Sequence, residues 1–64
     1  MAHPFAQEQY ADPGPRLRQL QARRTPARDA HGMEVYQSSY GWIGAQISGN
    51  VTVLKFYQSC PCND

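Results

Sequence analysis

The stretch WIGAQISGNVTVLKFY, Trp42 to Tyr57, decides the fold. Two runs rich in β-branched and aromatic residues flank Gly49-Asn50. Both of those residues tolerate positive φ, so the pattern predicts a β-hairpin with the pair as its loop. The competing loop has three residues, Ser48 to Asn50. In the two-residue register Ser48 faces Val51, Ile47 faces Thr52, Ala45 faces Leu54 and Ile43 faces Phe56. Cross-strand partners share a face. Ile43, Ala45, Ile47, Thr52, Leu54 and Phe56 therefore fall on one side. Trp42, Gly44, Gln46, Val51, Val53, Lys55 and Tyr57 fall on the other. The expectation is that Ile43, Ile47, Leu54 and Phe56 are buried together, with Trp42 and Tyr57 as further core or docking residues.

A hairpin alone is marginal in water, so a third strand, a helix or a partner must complete it. The 64 residues leave room for one small domain. Residues 33–40, MEVYQSSY, have strand propensity at Val35, Tyr36 and Tyr40. They predict a neighbouring strand near 34–39 that turns near Tyr40-Gly41 and makes a meander. The chain thus divides into a β-hairpin or three-stranded meander over 33–64, with a short cysteine-containing tail, and a flexible, extended N-terminal arm over 1–32. The fold class is small and mostly β.

Within the arm, MAHPFAQEQYADPGP at 1–15 reads as an extended or disordered tail with a turn at Asp12 to Pro15, and with Phe5 and Tyr10 as its apolar anchors. Residues 16–24, RLRQLQARR, predict a short basic helix with Pro15 at its start and Leu17 and Leu20 on one side. So short a helix forms best against a surface. Pro26 stops it, and 25–32 reads as a linker.

The formal net charge is only +1, but the charge is unevenly spread. Arg16, Arg18, Arg23, Arg24 and Arg28 occur in thirteen residues without an acid. Arginines hold phosphates without reading base sequence, and the tract is a candidate nucleic-acid or anion site. Tyr36, Tyr40, Trp42, Phe56 and Tyr57 offer stacking partners. The structural alternative is a solvated basic helix and aromatics that pack a core.

Cys60 and Cys62 are the weak candidates for a metal. Structural zinc takes four ligands, and His3, His31 and Asp64 lie far from them in sequence. The expectation is no metal and no cofactor. A disulfide across one residue closes almost no loop and adds little stability. The run VTVLKFYQS before Cys60 resembles the first active-site strand of a thioredoxin-like fold. That fold places two residues between its cysteines and a helix after them. Here one residue separates the cysteines, and Asp64 follows closely. Gly44-Ala45-Gln46-Ile47-Ser48 resembles the opening of the small internal capsid protein of enteroviruses and rhinoviruses. In that family the glycine is N-terminal and myristoylated. Here it is internal, so the modification does not carry over, and the resemblance points only toward a virion protein.

No paired histidine stands near Ser38, Ser39 or Ser48 to build an acyl-transfer triad. Asn50-Val51-Thr52 fits a glycosylation sequon at the hairpin loop, and without a signal peptide at the N-terminus it reads as incidental. No run approaches a transmembrane length. The resulting expectation is a non-enzymatic structural or adaptor protein. It docks on a larger protein assembly or a homo-oligomer, in the cytoplasm or within a viral or ribonucleoprotein particle. The alternatives are a nucleic-acid-binding module using 16–28 and a processed precursor of a cysteine-containing peptide.

Overall fold

The structure, a computed structural model, describes residues 3–28 and 33–61. Among these residues five strands and one helix follow in chain order: β1 (Ala6–Tyr10), α1 (Gly14–Gln19), β2 (Arg23–Arg28), β3 (Glu34–Ser38), β4 (Gly41–Ser48) and β5 (Val51–Tyr57). The strands form one open antiparallel sheet in the order β1-β5-β4-β3-β2. The β3-β4-β5 meander lies at its centre, and the N-terminal segment supplies both edges.

The β4–β5 register is the one the sequence predicts, with Ile43 opposite Phe56, Ala45 opposite Leu54 and Ser48 opposite Val51. Gly49 takes φ +64° in the two-residue loop, a conformation that costs a residue without Cβ little. Tyr36 pairs with Ile43 and Ser38 with Gly41 across the next turn. Gly41 sits at φ +121°, and a Cβ there would lie 2.8 Å from the Tyr57 carbonyl oxygen. The Ser38 hydroxyl accepts a hydrogen bond from the Tyr40 amide and donates one to the Gly41 carbonyl, fixing this turn.

The segment expected as a flexible, partly disordered arm contributes two strands. β1 pairs with β5 over five consecutive residue pairs, from Ala6 opposite Phe56 to Tyr10 opposite Thr52. The helix expected over 16–24 is shorter and begins earlier. Asp12 Oδ1 accepts from the Gly14 amide at 3.1 Å, and Pro15 occupies the first turn. The helix ends at Leu20 because Gln21 turns to φ 55°. The Ala22 amide then closes the end on the Leu17 carbonyl. Arg23 and Arg24 leave the helix and pair with Gln37 and Tyr36 in the sheet. Pro26 is accommodated because β2 is an edge strand, where its missing N–H breaks no inner ladder. Residues 25–28 of the expected linker belong to β2, and 29–32 lies outside the described residues.

The chain between β1 and β2 carries α1 across one face of the sheet. Leu20, Ile43, Leu54 and Phe56 form the core there, with Tyr10, Leu17, Ala22, Tyr36 and Ala45 packed around them. Ile43 and Leu54 are fully buried. Ile47, expected in this core, is instead 80% exposed. A six-residue helix is about 9 Å long, and an eight-residue strand is roughly 27 Å long. The hairpin tip overhangs what α1 can cover. On the opposite face Val35, Met33 and Tyr57 are buried. The Met33 and Tyr57 side chains fill the space above Gly44, where a Cβ would stand 3.3 Å from each. Trp42, half-buried, lies beside Tyr57 on that face.

Candidate functional site

The two edges of the sheet are built differently. β2 carries Arg23, Arg24, Pro26 and Arg28, and its pairing with β3 shifts register between Arg24 and Arg28. Charge, proline and irregular register are the usual blocks to edge-to-edge pairing. β1 is less protected. Its register with β5 is unbroken, it contains no proline, and its single charge, Glu8, is turned onto the helix face with Leu54.

A groove of about 360 Å³ runs between β1 and α1. Leu20 and Phe56 contribute buried apolar surface to it, and Ala6, Gln19, Glu8 and Arg16 line its sides. Phe5 and Tyr40 also line it, and they are 57% and 72% exposed. The Phe5 ring packs on Phe56 with centroids 6.4 Å apart and planes tilted by 49°. Tyr40 is held out by the β3–β4 turn.

Glu8 fastens this groove. Its carboxylate accepts from Arg16 Nε at 2.9 Å and Arg16 Nη2 at 3.2 Å, and from the Tyr10 hydroxyl at 2.7 Å. Arg16 Nη1 donates in addition to Gln19 Oε1 at 3.0 Å. The Arg16 guanidinium, and then the Tyr10 hydroxyl, hold the Glu8 carboxyl below its usual 4.5 against the opposing effect of burial. The same bond to Glu8 raises the Tyr10 phenol above its usual 10.0.

The five arginines are not brought together. Arg16 and Arg18 ride on α1, and Arg16 is joined to β1 through Glu8. Arg23, Arg24 and Arg28 lie on β2, at the other edge, roughly 19 Å from β1 at the normal strand spacing. Arg24 approaches Glu34 at 3.6 Å and lies over the Tyr36 ring at 6.0 Å. Tyr36 also donates to Glu34. Burial, and then the Glu34 charge, push its phenol above the usual value. Arg28 stands opposite Glu34 in the register. Acids distant in sequence thus answer part of a tract that contains none.

Among the stacking candidates, Phe56 and Tyr57 are buried, Trp42 and Tyr36 half-buried and Tyr40 exposed. Cys60 is disulfide-bonded. Cys62, His31 and Asp64 lie outside the described residues, and His3 is exposed. Among the described residues no cluster of metal-ligating side chains occurs, and no helix is long and apolar enough to cross a membrane. The Glu8–Arg16–Tyr10 cluster and the polar half of the groove were not read from the sequence, because a contact across eight residues and a strand pairing leaves no local signature. No protein-family model, curated protein or solved structure matches the chain.

Proposed function

We propose that the chain is a small, non-enzymatic structural or adaptor protein that docks on a larger assembly. The occupant of the docking site is an extended segment of a partner protein, which adds to the β1 edge and places a side chain in the neighbouring groove. The observation that carries this reading is the pairing of an unblocked edge strand with two exposed aromatics, Phe5 and Tyr40, over a groove backed by Leu20 and Phe56. Aromatic side chains that pack into pockets are the usual anchors of protein interfaces. The contrast with the blocked β2 edge supports a specific use for β1 rather than a tolerance of open edges.

The test is recovery of the native complex under mild conditions, with mass spectrometry of its components, for the wild-type chain and a Phe5→Ser, Tyr40→Ser variant. Loss of a protein partner from the variant, with the circular dichroism unchanged, supports the reading. A partner set that is identical in both removes it. Recovery of the chain alone removes it as well.

A further inference from the structure

The sheet face turned away from α1 sorts its charges. Following the register from strand to strand, Arg23, Gln37, Trp42 and Tyr57 form one row across that face. Lys55 and Gln7 stand side by side in the next row, and Gln9 lies beside Val53 and Gln46 beyond it. Both acids of the strands, Glu8 and Glu34, belong to the other face, where they register with Leu54 and Ala45. Among the described strand residues this face therefore carries two cations, four glutamines and a tryptophan, and no acid. The glutamines and Arg23 are exposed, and Lys55 and Trp42 are half-buried.

We propose that this face binds single-stranded nucleic acid, independently of the docking groove on the helix side. The charge favours an anionic partner. Arg23 and Lys55 stand on β2 and β5, three strands and roughly 14 Å apart, a separation suited to an extended backbone rather than to one compact anion. Glutamine offers both donors and acceptors to base edges. Trp42 supplies a π-face between the two cations, and base stacking on an aromatic tolerates any sequence. An open sheet face fits splayed bases better than the grooves of a duplex. This residue set differs from the arginine tract at 16–28, of which it uses only Arg23.

The test uses the full chain and an oligothymidylate of roughly 16 nucleotides. Trp42 is the only tryptophan, so its emission reports stacking directly. Expected results are binding at low salt with quenched emission, and a log–log salt slope of about −1.4 for two phosphate contacts. A variant with Arg23→Glu and Lys55→Glu binds roughly tenfold or more weakly, whereas Arg18→Gln on α1 has no effect. The glutamine versions of the first two changes serve if charge reversal disturbs the circular dichroism. The proposal is overturned if the oligonucleotide does not bind at low salt, or if emission is unchanged on binding. It is also overturned if Arg18→Gln weakens binding as much as the double change, or if a duplex of equal length binds more tightly.

Discussion

Glu8 and Arg16 join the edge strand β1 to the helix that crosses the sheet, with Arg16 Nε donating to Glu8 Oε1 at 2.9 Å. The first turn of α1 contains no acid of its own, and Asp12 just before it is turned onto the Gly14 amide. Since both side chains are about one-third exposed, the pair is of the surface kind. Its contribution is modest and screened by salt.

The pH dependence follows from the direction of the shift. The Glu8 carboxyl is lowered from 4.5 in the folded chain. Its stabilisation is therefore complete above 4.5 and is lost as pH falls through the lower folded value. Comparing thermal unfolding of wild type and Glu8→Gln from neutral to acid pH should show the two curves converging below 4.5. A gap that stays constant across that range counts against the pair. Tyr10, raised from 10.0 by the same hydrogen bond, contributes below 10.0 and loses its share as pH rises through the folded value.

Phe56 and Lys55 are sequence neighbours on opposite faces of β5. Phe56 is 6% exposed and belongs to the helix-side core. Phe56→Ala should cost about 3–5 kcal/mol from lost burial and the cavity left behind, enough to unfold so small a domain. Lys55→Ala should stay within about 0.5 kcal/mol. Chemical denaturation of both variants measures the difference, and equal costs would contradict the register.

Ile43 and Ile47 share a strand and a face but not an environment. Ile43→Ala should cost about 2–5 kcal/mol, because Ile43 is fully buried. Ile47→Ala should lie within about 0.5 kcal/mol, since the side chain already meets solvent. Similar losses at both sites would mean that something covers the hairpin tip.

Two backbone positions make opposite predictions. Gln21 holds φ 55° at the end of α1, a conformation that costs a non-glycine residue about 1–2 kcal/mol. Gln21→Gly should raise the melting temperature. Gly41→Ala should lower it, because the new Cβ would meet the Tyr57 carbonyl at 2.8 Å. If Gln21→Gly destabilises, the side chain of Gln21 makes contacts that outweigh its backbone.

The parts of the fold that were legible in the sequence are those that local chemistry encodes. Gly49-Asn50 between alternating runs set the hairpin register, and Val35 and Tyr36 marked the third strand. Leu17 and Leu20 marked a helix that needs a surface, and they lie on the core. The two edge strands were not legible. Ala6–Tyr10 alternates, but with glutamine and glutamate where apolar residues would give a signal. Arg23–Arg28 contains proline and three cations, which read locally as a helix end and a linker. Both become strands because the meander offers them unpaired backbone on either side. Ile47 misled for a related reason, since the alternation that assigns its face carries no information on how far α1 reaches.

Candidate-site residues divide the same way. Tyr40 and Trp42 were visible as aromatics in a β segment. The acid-free character of one sheet face required the pairing of β1 with β5 and of β2 with β3, which only the tertiary structure supplies.

The placement of β1 beside β5 has a consequence for how the chain reaches its native state. Ala6 and Phe56 are partners although fifty positions separate them, so β1 has no sheet neighbour until β5 has been made. This ladder joins the most distant positions of the sheet, and loops of that length close slowly. Both turns of the β3-β4-β5 meander join partners three positions apart, so the meander is expected to form first and the N-terminal strand to dock onto it afterwards. Until β1 docks, β5 is itself an open edge.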